Sequence, residues 1–304
     1  MICWRSAPSN NGVRIFLAYL GVVLIWSTTP LAIKWSSIEV SFIFGVTARM
    51  CIGAVCLLVL MLLARQPLRL HRKALLTYLA VSLQLYCSML MTYWGAQHIP
   101  SGWVSVIFGL SPFMTALLAA IFLKERSLSW GKLLSYCLGV AGLIAMYYSA
   151  LDINRLALLG MIAILLATLL YAMSSVWVKK IHADLPALTQ ISGGLLLALP
   201  VYLLTWYWLD QGQLPQSLNQ QTQLSILYLG VIATPIGFAL FYYLLNYLTA
   251  TSVAMINLVT PVFSLVLGYF VNQEPMTTKI VVGTVLILLA LGIHIWADGR
   301  REMI

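Results

Sequence analysis

One arginine, Arg49, stands deep inside an apolar run of this 304-residue sequence, with Gly45 and Gly53 four residues to either side. A charge at the centre of a membrane helix costs about 2.5 to 3.5 kcal/mol when unpaired. The eight Asp and Glu, at 39, 125, 152, 184, 210, 274, 298 and 302, all fall in loops or at the ends of apolar runs, so no acid is placed to neutralise it. A guanidinium fork suits a carboxylate, which makes Arg49 a candidate anchor for an acidic solute. The competing role is structural, a set of hydrogen bonds to backbone carbonyls at a helix break. Glycines on the arginine's face favour close helix approach, which turns the side chain toward protein or a wet cavity and away from lipid.

Neutral polar groups recur in the same kind of sequence. Lipid gives no reason for Gln84 or Asn257 to lie in apolar runs, so both are expected to face the interior. Thr234, Phe238 and Tyr242 follow a spacing of four, Gln84 and Ser88 share a helical face, and Tyr86 and Tyr93 are seven apart on another. Pro112 and Pro261 fall in mid-run, where each removes a backbone bond and frees a carbonyl that must face protein or water; Ser111, Asn257 and Thr260 are their polar neighbours. The candidate solute-binding set is therefore Trp26, Arg49, Gln84, Tyr86, Tyr93, Ser111, Thr234, Phe238, Tyr242, Asn257 and Thr260, with Pro112 and Pro261 as helix breaks. For the aromatics and prolines, plain helix packing is the alternative. Trp206, Tyr207 and Trp208 read as interfacial belt residues, His98 and His294 as groups at span ends. Glu125 and Glu274 read as caps or loop-orienting groups.

Only membrane helices can position such residues here. Hydrophobic residues make up 62% of the chain and charged residues 8%, with a mean hydropathy of +0.95, against about 25% charged for a soluble domain. Apolar runs near residues 14–34, 40–63, 74–95, 101–123 and 130–149, then 156–178, 186–208, 223–245, 250–271 and 279–297, predict ten spans with no room for a soluble domain. With the N-terminus inside, 13 of the 17 Lys and Arg fall on cytoplasmic segments, and only Lys34, Arg155 and Lys279 fall outside. Both termini are thus expected in the cytoplasm. The net charge of +9 alternates loop by loop and does not cluster on one element, which argues for a membrane partner and against nucleic acid. Five cysteines without paired spacing read as reduced packing residues; neither a metal nor a cofactor is expected.

The two sets of five runs resemble each other. Trp26 to Lys34 matches Tyr171 to Lys179 at an offset of 145, and Tyr78-Leu79-x-Val81 matches Tyr228-Leu229-x-Val231 at 150. Tyr93 precedes Pro112 much as Tyr243 precedes Pro261, and each proline precedes a glutamate, Glu125 or Glu274, by 13. A duplicated unit of five helices must insert with opposite orientation, as in transporters built from inverted repeats.

On these stretches, together with Ala48-Arg49, Ser111-Pro112 and Thr260-Pro261, the sequence resembles the EamA-type branch of the drug/metabolite transporter superfamily over residues 14–297. Asn272-Gln-Glu-Pro275 departs from that family's Leu-Gly-Glu. The resemblance implies an all-α integral membrane protein of ten helices in two inverted repeats, 14–149 and 155–297, around a central cavity. It also implies a multi-pass location in the bacterial inner membrane and export of small metabolites such as amino acids, or alternatively of xenobiotics. A channel lacks support because inversion is a carrier feature. An intramembrane enzyme lacks HExxH, GxSxG and Walker A motifs.

Overall fold

A computed structural model describes residues 9–123, 130–151 and 155–299. The chain runs through helices α1 (Ser9–Trp35), α2 (Phe42–Leu63), α3 (Arg72–Ala96), α4 (Ser101–Phe122), α5 (Trp130–Leu151), α6 (Arg155–Ile181), α7 (Ala187–Asp210), α8 (Gln220–Tyr247), α9 (Ala250–Asn272) and α10 (Thr278–Gly299). Among the described residues, eight of these, all but α5 and α10, are long and apolar enough to cross a membrane. Leucines, valines and aromatics are exposed along their outer faces, Leu62, Leu63, Trp208 and Phe270 by about three-quarters each, which is the surface that lipid tails accept. Glu125, Lys124, Arg126 and Arg300 lie outside the described residues.

Helix starts follow from short polar side chains. Ser41 accepts from Phe44 N, Asn219 from Thr222 N and Thr249 from Ser252 N, each satisfying one of the free amides of a first turn. Pro100 and Pro186 precede α4 and α7 with extended backbone. Left-handed Gln211 and Gln273 end α7 and α9. The short breaks expected after Gly95 and Asn246 are present, as the Gln97–Pro100 turn and the extended Leu248.

Pro112 corrects the mid-helix expectation. α4 is broken at Gly109 and Leu110, and Pro112 sits in the first turn of the segment Ser111–Phe122, where its missing N–H would have no intrahelical partner anyway. Pro261 does lie within a helical segment, Ile256–Asn272, after a break at Met255. Two π-helical stretches were not foreseen: Leu83–Ser88 in α3 and Leu229–Gly237, which contains Pro235, in α8. Within the first, the Tyr202 hydroxyl of α7 donates to Leu85 O at 2.6 Å and Tyr86 O at 3.4 Å, carbonyls that a widened turn leaves open to an outside donor.

The first five helices pack mainly on the second five. α1 lies on α9 and α8; α6 lies on α4 and α3; α2 lies on α7 and α8; α3 lies on α7; α5 lies on α10. Every one of these pairs has a reciprocal under exchange of the two sets. Small residues permit the closest approaches: a methyl on Gly142 would stand 2.6 Å from Gly283 O, and one on Gly53 2.7 Å from Thr234 Cγ2. The last turn of α1 brings Lys34 beside the start of α4, and α6 begins on that same face, with Gly160 against Gly95 and His98.

Candidate functional site

Arg49 is 1% exposed and is held between α2, α3 and α8. Its Nε donates to Thr234 Oγ1 at 2.8 Å, its Nη1 lies 4.0 Å from Met89 Sδ, and its guanidinium sits 5.9 Å from the centre of the Tyr93 ring. Among the described residues no carboxylate pairs with it. The hydroxyl of fully buried Tyr93 has no hydrogen-bond partner among the described residues. The nearby backbone is tight: a methyl on Gly230 would meet Ile52 and stand 3.3 Å from Arg49 O. Gly45, expected to favour close approach, does so against Ser36 O of the α1–α2 turn, and Gly53 does so against Thr234.

A cluster of aromatic rings joins α1, α4, α6 and α8. Trp26 packs within 6.1 Å of Tyr171, 5.8 Å of Phe238 and 5.2 Å of Phe241, while Tyr171 also touches Phe108 and Phe241. Trp26 and Tyr171 are the two residues related by the 145-residue offset, so positions matched by that offset meet here. Tyr242 closes the cluster against Phe241 and donates to Gln84 Oε1 at 2.8 Å. Gln84 is fully buried, and its Nε2 has no acceptor among the described residues. Thr234, Phe238 and Tyr242 thereby connect three neighbours along one helix: Arg49, Trp26 and Gln84.

Polar bonds tie the breaks together. Asn257 Nδ2 donates to Ser111 Oγ at 2.7 Å, both buried, so the two broken helices α4 and α9 meet at their polar residues. A second chain runs from Ser105 Oγ to Ser264 Oγ to Ser27 O, at 2.8 and 2.7 Å. Thr260 and Pro261 are buried on the same helix as Asn257. Tyr86 departs from the set: the π stretch turns it toward α7, where its hydroxyl meets Thr205 at 2.6 Å and its ring meets Tyr202. Tyr86 and Tyr93 therefore serve different surroundings despite their seven-residue spacing.

Tyr171, Phe241 and Phe108 in the aromatic cluster, and the Ser27–Ser105–Ser264 chain, adjoin these candidates and were not among them. The offset pairing of Trp26 with Tyr171 was the available signal for one of them. Glu274 was expected to cap, and it does, accepting from the Ser101 and Gly102 amides at the start of α4 at 2.9 and 3.3 Å. No group of three His, Cys, Asp or Glu side chains among the described residues could hold a metal.

Comparison with known proteins agrees with this geometry. The EamA-like transporter family matches twice, over residues 13–148 and 158–296. An uncharacterized transporter of Bacillus subtilis, YoaV, is 24% identical over 294 residues, covering 96% of this chain and all of the relative. A probable amino-acid metabolite efflux pump of Salmonella typhimurium is 28% identical over 211 residues, covering 67% and 70% of the two chains. A solved crystal structure superposes with a TM-score of 0.68 at 16% identity, covering 92% of this chain and 96% of the other, which is a likeness of fold. These relatives are transporters and not enzymes, and the chain is a multi-pass membrane protein that belongs to the EamA-like transporter family.

Proposed function

We propose that the chain carries a small organic metabolite, of the amino-acid or related class, out of the cell by alternating access. The carrying observation is the reciprocal packing of the two sets of five helices, with Trp26 and Tyr171 meeting at its centre. In this reading residues 14–149 and 155–297 are inverted repeats and make ten crossings of the bacterial inner membrane. Equivalent parts in opposite orientation offer two packings of similar energy, one open to each side. Two further features support the inversion: α1 and α6 run in opposite senses, and both α3 and α8 carry a π-helical stretch at corresponding places.

The site lies between Arg49 and the aromatic cluster. Arg49, Gln84 Nε2 and Tyr93 OH are buried donors with capacity to spare. Buried polar groups are rarely left so, and a solute carboxylate and its acceptor atoms would satisfy them. The rings of Trp26, Phe238, Phe241 and Tyr171 would hold an apolar body. The amino-acid class draws on the Salmonella relative's name. In liposomes holding purified protein, counterflow of a labelled amino acid or acidic metabolite should saturate with concentration. Linear, non-exchanging flux would point to a pore and defeat the reading.

A further inference from the structure

Glu274 does more than cap a helix. Its carboxylate is 8% exposed and takes donors from three directions. From α4 come Ser101 N at 2.9 Å, Ser101 Oγ at 3.0 Å and Gly102 N at 3.3 Å; from the end of α9 comes Asn272 Nδ2 at 2.8 Å; from α1 comes Lys34 Nζ at 3.6 Å. Lys34 also donates to Ile99 O at 3.2 Å, and the neighbouring Trp35 Nε1 donates to Asn272 Oδ1 at 2.9 Å. One carboxylate thus draws the end of α1, the end of α9 and the start of α4 to a single point. Packing is close beneath it, since a methyl on Gly268 would stand 2.5 Å from Glu274 Oε2 and one on Gly102 3.0 Å from Leu265 Cα.

The opposite face is built differently. There a recess of about 340 Å³ opens among the start of α3, the loop from α6 to α7 and the end of α8, with Arg69, Thr77, Gln190 and Asn246 in its lining. At the junction of α1, α4 and α9 the Lys34 face is closed by these contacts; an apolar recess of about 430 Å³ on that side lies apart from the junction, among Phe42, Trp94, Leu159 and Leu209, and the polar recess opens on the basic face. Below the Glu274 contacts lie Ser105, Ser264 and Ser27, then Trp26. A solute leaving toward the Lys34 face between α4 and α9 would have to break the three bonds that Ser101 and Gly102 make to Glu274.

We propose that Glu274, with Lys34, is the latch that holds the Lys34 face closed during transport, and that its release is the step which opens that face. The latch rests on the alternating-access reading, with the Lys34 face taken as the outer one from the distribution of Lys and Arg. Glu274→Gln tests it, because an amide nitrogen would face the amides of Ser101 and Gly102 as donor against donor. In a background with the five native cysteines changed to serine, Ser105→Cys reports the Lys34 face and Thr77→Cys the recess. A membrane-impermeant maleimide is applied to right-side-out cells and to inverted vesicles. Glu274→Gln should raise labelling at position 105 at least fivefold and lower labelling at position 77, as expected when a two-state equilibrium moves toward one side. Lys34→Gln keeps the cap on α4 and loses the ion pair together with the bond to Ile99 O; it should move both rates the same way by less, and it stands in if Glu274→Gln fails to accumulate. Unchanged labelling, or a rise on both faces from general loosening, would overturn the latch. Saturable counterflow by the parent protein checks the transport reading separately.

Discussion

Arg49 donates to Thr234 Oγ1 and, weakly, to Met89 Sδ, and has no counterion among the described residues, so replacing it separates its two roles. Arg49→Gln should reach the membrane and lose roughly 10- to 100-fold in affinity for an acidic solute, the equivalent of about 1.5 to 3 kcal/mol for a charge-assisted bond. Affinity for the matching amide should change far less, and thermal-shift titration of both ligands reads the difference. Equal losses would assign Arg49 to structure. Beside it, Gly53→Val should lower the melting temperature, since overpacking against Thr234 costs about 1 to 3 kcal/mol. Arg49 was legible in the sequence because a lone charge in an apolar run needs an explanation. Phe241 and Phe108 were not, because an aromatic residue facing a cavity and one packed in a helix seam look alike in composition.

Helix positions were legible to within a few residues because apolar runs and their Pro, Gly and polar borders carry that information directly. The π stretches were hidden: over six to nine residues a wider turn leaves no distinct hydrophobic period. They matter for what the helix faces meet. Deleting Leu83 should let α3 tighten to a regular helix with its flanks in register, removing the site of the Tyr202 bond at a cost of about 1 kcal/mol. Such a protein should fold and exchange solute more slowly in counterflow. Inserting an alanine there instead turns Met89–Ala96 by about 100°, takes Tyr93 off Arg49, and should abolish accumulation in the membrane.

At the scale of the whole molecule, the asymmetry of basic residues supports the proposal that the recessed face is the cytoplasmic one. Reporters fused after residues 68 and 301 should both report the cytoplasm, and one near 215 the outside; an outside C-terminus would break the ten-crossing scheme. Energetics belong to this scale as well. The aromatic and polar centre holds no carboxylate among the described residues, and Glu274 is committed at the edge. An imposed pH gradient should therefore cause no sustained accumulation of a solute whose own charge is constant. Uphill accumulation abolished by a protonophore would reveal a proton-binding group in the cycle.

The interlocking of the two halves bears on how the protein is made. α1 finds its main partners on α8 and α9, and α9 begins roughly 215 residues after α1 ends. At about 5 to 20 residues per second, the first helices wait some 10 to 40 s in the bilayer with their seams unfilled. Arg49, without Thr234 to meet, waits with them. Insertion is thus separated in time from assembly, and the early half depends on surviving membrane quality control until its complement emerges. Expressed as two chains divided between residues 152 and 153, each half alone should be degraded, whereas the two together should accumulate and restore exchange, because what joins them is packing and not the loop.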